Sequence, residues 1–393
     1  MQKPVALDCL QLPKELRLML ACLNRHDDEG VPAHDKKWIA DMNWDRFLQL
    51  ARHHRVYPVL YSRLMRIEQH GIPPQVIRAL KQEYWHNTFR MLQLSAEMDR
   101  VNSELSEQNI PTLHMKGPVL AVELYGDVSL RTSGDLDVLV PIHRLVAAEG
   151  TLRKLGYVKD EYIQSVMNDW KWRHHHTTFY HPDKEIKVEL HWRLSPGPGK
   201  EPTFHELWER SRISHHTGNP IHYLGTEDLL LFLAAHGARH GWSRLHWLGD
   251  IDRIARQSLD WNRLSLLLSK YRCAHLLGQA FVLASDLLST PLNPQMKRLT
   301  FGCRPAKLAQ DALFYLRQMV NLHTKLLPAD VALYHKRHLF SLMSAQQKML
   351  FIISFLHPYP KDIEILYLPK MLHFLYFPLR PFLWAWRKMS KYA

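Results

Sequence analysis

Two aspartates one residue apart, at the head of an apolar run, constrain this chain more than any other feature. Asp135-Leu136-Asp137 leads straight into Val138-Leu139-Val140. Strand side chains alternate faces, so residues two apart share a face at about 6.7 Å spacing. Asp135 and Asp137 then project together, while Leu136, Val138 and Val140 turn to a core. Two adjacent carboxylates repel and lose hydration unless a cation sits between them. Mg²⁺ suits such a place, because it takes one or two carboxylates plus substrate phosphates; Mn²⁺ is the alternative ion.

Upstream, Lys116-Gly117-Pro118 follows the strand-like Pro111–Met115. A strand, a glycine turn and a helix starting near Pro118 present free N–H groups and the positive end of a helix dipole. Lys116 adds a full charge. Arg131 and Ser133, just ahead of the acidic pair, are within reach of phosphate oxygens.

These residues together resemble the polymerase-β-like nucleotidyltransferase superfamily, whose signature is Gly-Ser, a helix, then Asp-x-Asp on the next strand. Lys116-Gly117 stands where Gly-Ser is usual. With Arg131 ahead of the acidic pair, the stretch is similar to the little-characterised branch known only as "nucleotidyltransferase family protein". The resemblance implies a third carboxylate on a later strand, and Glu189 matches that place. It also covers His236 to Asp252, with its His-Gly, Trp, Arg-Leu, Trp and Asp pattern, and runs from about Trp44 to Trp261. Its chemically specific part is Arg131 to Asp137.

The 393 residues suffice for two or three domains. Lys plus Arg number 51 against 38 Asp plus Glu, a net charge of +13 that favours polyanionic partners. An ordinary basic soluble protein satisfies the same figure. Cys9, Cys22, Cys273 and Cys303 show no Cys-x-x-Cys spacing, which argues against a zinc ribbon or a disulfide framework. No basic, then apolar, leader opens the chain, so a reduced cytoplasm is the expectation.

The expected fold class is α+β: a small mixed-sheet nucleotidyltransferase core flanked by N- and C-terminal helical regions. Residues 1–108 read as helical. Asn43 caps a helix bearing Trp44, Phe47, Leu48 and Ala51. A long helix from Pro74 carries the stripe Met91, Leu94, Met98, Val101 and Leu105. Residues 109–195 hold the core, with strands at 110–115 and 136–140, helices at 118–125 and 145–155, and a hairpin of 177–180 with 185–194. In its second strand Lys187, Glu189 and His191 share one face and Val188, Leu190 and Trp192 the other. A solvated polar face is the alternative to a role for Glu189.

His174-His175-His176 cannot all converge on one ion from a strand, because neighbours point to opposite faces. Trp170 and Trp172 suit either base stacking or a core strand. Ser195–Gly199 reads as a linker into a helical domain, 196–330, where Thr226 caps a helix. His236 and His240 are four apart, a weak zinc signal without an accompanying Glu. Arg244 suits either a phosphate or a tryptophan-rich helix contact.

Residues 331–393 form a basic, aromatic-rich tail without an uncharged apolar run of spanning length. It suits either packing on the protein or lying peripherally at the inner membrane surface.

The expected reaction is transfer of a nucleoside monophosphate from an NTP, ATP among them, to a compact acceptor: a small molecule, a lipid-linked intermediate or a peptide. Asp135, Asp137 and Glu189 would hold two Mg²⁺ ions, and Lys116, Gly117, Arg131, Ser133 and Arg244 the nucleotide phosphates. RNA tailing, a non-catalytic nucleotide-binding module and a membrane-surface scaffold stay open. Nucleic acid is the less favoured partner, since acids such as Glu123, Asp127 and Glu149 interrupt the basic residues.

Overall fold

The N-terminal region is built on the apolar stripe that its sequence announces. Its helices are α1 (Lys14–Asn24), α2 (Trp44–His53), α3 (Tyr57–Leu64) and α4 (Pro74–Glu107). The Asn43 side chain accepts the Arg46 N–H at 3.0 Å and so caps α2. Met91, Leu94, Met98, Val101 and Leu105 of α4 are all buried. The computed structural model describes residues 7–9, 11–24, 41–66, 71–322, 324 and 326–389. The opening residues, on which the absence of a leader was read, lie partly outside these.

The α/β region carries β1 (Leu113–His114), α5 (Pro118–Tyr125), β2 (Asp135–Leu139), α6 (Leu145–Lys154), β3 (Val158–Lys159), α7 (Trp170–Arg173), β4 (His176–His181) and β5 (Ile186–His191). After α8 (Phe204–Glu209), two more strands, β6 (Arg212–Ser214) and β7 (Ile221–Tyr223), join the same sheet. Its order is β3-β4-β5-β2-β1-β7-β6. The sheet is mixed, with β2 parallel to β5 and antiparallel to β1. The fold class is the α+β arrangement read from the sequence, but the sheet takes strands from beyond residue 195.

Three local readings change. The strand before Lys116 is only β1, although the Met115 N–H still donates to Asp137 O at 3.1 Å. Trp170 and Trp172 lie on the short helix α7, where Trp170 meets Trp192 edge-on at 5.0 Å. Thr226 is the first residue of its helix, and Gly225 is the cap. A Cβ at Gly225 would stand 2.2 Å from Arg210 O, so close an approach that no side chain fits.

The second half is helical: α9 (Thr226–Arg239), α10 (Leu245–Ala255), α11 (Trp261–Tyr271), α12 (Ala274–Leu288), α13 (Pro294–Thr300), α14 (Cys303–Arg317), α15 (Ala329–Leu342), α16 (Ala345–Ser354), α17 (Pro360–Ile365) and α18 (Tyr376–Met389). No helix among the described residues is long and apolar enough to cross a membrane. The tail closes on itself through Arg380 and Asp362, 2.8 Å apart, and leaves Tyr367, Met371 and Phe382 exposed.

One buried ion pair joins the two halves. Arg131, in the loop before β2, donates through Nη2 to Asp250 of α10 at 2.9 Å, and through Nε at 3.0 Å. Tyr125 adds a hydroxyl donor to the same carboxylate at 2.8 Å. Burial opposes the Arg131 charge, but Asp250 outweighs it and holds the guanidinium above its ordinary value. Replacing Asp250 by Ala would strand that charge inside the protein. The expected cost, read by urea denaturation, is about 3–5 kcal/mol. A loss under about 1 kcal/mol, the scale of an exposed pair, would contradict this linkage.

Candidate active site

Strand register assembles the site. Parallel pairing sets Asp135 beside Lys187, Asp137 beside Glu189 and Leu139 beside His191. On β4, antiparallel pairing sets His176 across from His191. Alternation gives one polar face with Asp135, Asp137, Lys187, Glu189 and His191. The other face is core: Leu136, Val138, Ile186, Val188 and Leu190 are all buried.

The carboxylates are neutralised by cations and imidazoles. Asp137 is almost wholly buried, with Oδ1 3.2 Å from His191 Nε2 and Oδ2 3.2 Å from Lys116 Nζ. Burial opposes its charge, yet Lys116 and the His191 hydrogen bond hold the carboxyl below its ordinary value. Lys187 Nζ bridges Asp135 Oδ2 at 2.8 Å and Glu189 Oε1 at 2.6 Å. Glu189 Oε2 lies 3.6 Å from His191 and 3.8 Å from His176. Burial again resists the Glu189 charge, and the His191 hydrogen bond and the neighbouring cations hold its carboxyl well below the usual range. Burial lowers the affinity of His191 for a proton, but the hydrogen bonds to Asp137 and Glu189 raise it overall.

The residues proposed to grip phosphate occupy the same place in different ways. Gly117, at φ 89°, turns the chain into α5 in a conformation that other residues adopt only with strain. Lys116 Nζ also lies 3.3 Å from His236 Nε2. Burial and Lys116 push His236 well below its usual value, so the neutral ring accepts from the ammonium. Ser133 Oγ donates to Asp135 O at 3.0 Å. Arg131 is committed to Asp250, as described. Arg244 Nη1 donates to His53 O at 2.7 Å, and burial lowers its pKa to about 10.

Asp135, Asp137, Glu189, Lys116, Arg131, Ser133 and Arg244 all line one cavity of about 700 Å³, whereas Gly117 is not among the lining residues. Six Lys and Arg side chains face it (Arg55, Lys116, Arg131, Lys187, Arg239 and Arg244), against three carboxylates. A cavity with that balance attracts polyanions.

A divalent cation fits the donor set. Asp137, Glu189 and His191 each offer one ligand atom, all within 4.8 Å of one another. Asp137 Oδ2 is buried without a hydrogen bond, 3.2 Å from the Lys116 ammonium. Oxygen ligands suit Mg²⁺, and an added imidazole suits Mn²⁺ and other transition ions.

The histidine triplet divides. His174 ends α7, while His175 Nε2 and His176 Nδ1 approach to 3.2 Å, and with His191 they form a second close set. His175 precedes β4, so the rule that strand neighbours diverge does not apply to it. Burial, then His191, lowers His176 to about 4.

Sequence reasoning placed His191 on the polar face but gave it no task. It singled out the run from His236 to Asp252 without foreseeing these contacts of His236, Arg239 and Asp250, and it missed Arg55. The two-residue step from Glu189 to His191 was a readable signal. Arg55, in the turn between α2 and α3, left none, whereas His236, Arg239 and Asp250 fall in the run that the family resemblance covers.

Lys187 stands among the carboxylates as the ammonium that a metal ion would displace. Lys187→Met is therefore expected to enlarge the thermal stabilisation by millimolar MnCl₂ or MgCl₂. By mass action, each tenfold gain in affinity adds about 1.4 kcal/mol when the ion is in excess. Scanning calorimetry with and without ion measures it. No stabilisation of either protein would remove the ion from this site.

No curated protein matches the chain. Among solved structures, it is similar to the solution structure of the antibiotic-resistance factor ANT(2'')-Ia, at 14% identity. That match covers 64% of this chain and 98% of the other, with a TM-score of 0.27. The profile of the family described as "Uncharacterised nucleotidyltransferase" matches residues 40–289, well over half the chain. The chain belongs to this nucleotidyltransferase family.

Proposed function

We propose that the protein transfers a nucleoside monophosphate from an NTP, ATP among the candidates, to a compact acceptor and releases pyrophosphate. The observation that carries this reading is the β2–β5 register, which seats Asp137 beside Glu189 in a cavity walled by six cationic side chains.

Asp135, Asp137 and Glu189 would hold divalent ions, Mg²⁺ or Mn²⁺, which would supply positive charge to the phosphoryl group in transfer. Lys116 and Arg244 bind triphosphate oxygens and offset the charge that grows on pyrophosphate. Ser133 and the Gly117 turn shape that cradle. Arg131, tied to Asp250, contributes by fixing the loop and by its field. His191 orients Asp137 through its hydrogen bond and stands 3.6 Å from Glu189. Glu189 completes the site nearest the acceptor and helps remove its proton when the acceptor is a hydroxyl.

Asp137→Asn removes a metal-holding charge but keeps the shape. Turnover is expected to fall about a thousandfold, since such charge stabilisation is worth several kcal/mol, while the circular dichroism stays that of the native fold. The assay incubates each labelled NTP with MgCl₂ and cell fractions, and follows label into small molecules and into total RNA. Unchanged turnover in Asp137→Asn would refute the transfer reading. RNA labelling that vanishes in the variant would replace the compact acceptor with a polymer.

A further inference from the structure

We propose that the acceptor is an amphiphile, a phosphate head on a long apolar chain, and that a chamber beside the catalytic cavity holds the chain. The inference rests on the nucleotidyl-transfer reading and specifies its acceptor.

The chamber measures about 460 Å³, within the range of about 300–1,000 Å³ for small-molecule sites. Its walls come from three parts of the fold. Trp172 and the segment after β5 form one side, Leu231 and Ala235 of α9 with Leu276 of α12 the second, and Leu342 and Phe351 the third. These walls are largely apolar. Leu194, Phe232 and Arg239 line both this chamber and the catalytic cavity, so the two share a boundary.

Arg239 is the distinctive group at that boundary. Arg173 and Arg193, which also line the chamber, are paired with Asp169 at 2.7 Å and Glu201 at 2.8 Å. Among the described residues no carboxylate pairs with Arg239, and its side chain meets only His175 Nε2, at 3.4 Å. It nevertheless feels the charges of Glu189 and Asp137, and burial holds its pKa down to about 10. A half-buried guanidinium without a carboxylate partner is open to another anion, and its planar fork matches a phosphate. A head group there lies next to the catalytic carboxylates while its chain runs into the chamber.

The outer face of the same wall points to a lipid as the source of the chain. Phe340 of α15 and Ile352 and Ile353 of α16 are exposed. An exposed apolar face beside an apolar chamber suits uptake from a lipid surface. In the reaction, an oxygen of the lipid phosphate attacks the α-phosphorus of the NTP. The bond to the bridging oxygen of the β-phosphate breaks, and its electron pair leaves with pyrophosphate. A new phosphoanhydride joins nucleoside monophosphate to lipid phosphate, and the dianionic head needs no base.

The test is calorimetric titration of the full chain with hexyl, octyl and decyl phosphate below their micelle concentrations, without nucleotide. Affinity should rise about fourfold per methylene, equivalent to about 0.8 kcal/mol, until the chamber is full. Ala235→Trp and Leu276→Trp should flatten that gradient. Arg239→Gln should cut the preference for decyl phosphate over decanol about tenfold, the scale of a charge-assisted hydrogen bond. A decyl phosphate tipped with a photoreactive diazirine should label peptides containing Leu231–Ala235 or Leu276, a readout independent of whether the variants fold. Chain-length-independent binding, or labelling elsewhere, would overturn the proposal. Asp137→Asn separates the two readings, since it should keep the chain-length gradient of alkyl phosphate binding while turnover falls about a thousandfold. Turnover onto polar acceptors without a chain-length gradient sinks only the chamber; a gradient without turnover sinks only the transfer.

Discussion

Three carboxylates gathered on one largely buried sheet face cannot stand without positive charge, and much of this structure supplies it. Taking ionised groups out of water costs several kcal/mol each unless partners compensate. Lys187 answers Asp135 and Glu189 from within the same sheet. Lys116 answers Asp137 from the turn before α5, and His191 hydrogen-bonds the same carboxylate. The arrangement is balanced as it stands, and it is balanced by groups that can yield. An ammonium on a flexible stem moves aside for a divalent ion far more readily than a backbone does.

The helical half acts as the other jaw of this site. Helix α9 brings His236 and Arg239 to the cavity, and Arg244 follows just beyond its end. Asp250 on α10 anchors the loop that leads into β2, through Arg131. The acidic strand is thus positioned from the helical side as well as by its sheet neighbours. In the stretch from His236 to Asp252 this brings polar residues inside: His246, which lines the cavity, and Asp250 are both buried.

The cavity and the neighbouring chamber differ in chemistry although they share walls. One is lined mainly by charges and imidazoles, the other mainly by aliphatic and aromatic side chains, with Arg239 at the boundary. This division follows from the sheet's two environments: β5 ends in the polar face, and the chain after it turns through Trp192 and Leu194 into the apolar interface with α9. Charged and apolar parts of one substrate can then be bound a few residues apart.

What the sequence determined by itself was local and periodic. The alternation through Asp135–Val140 specified which side chains face the core, because a strand has a period of two. The α4 stripe specified a packed helix, because a helix has a period near 3.6. Glu189 and His191 were legible as one face of one strand, and the family resemblance told which of them to weigh. Only the tertiary structure decided what meets that face. The parallel pairing of β2 with β5 joins residues some fifty positions apart in the chain, and no local pattern encodes its register. The partnership of Arg131 with Asp250 spans a separation of 119 residues and ties the loop before β2 to α10. His175 joins His176 and His191 because it lies just outside the strand, a boundary that depends on how α7 ends. Charge placement across such distances is set by packing, which minimises uncompensated burial over the whole molecule rather than within any one segment.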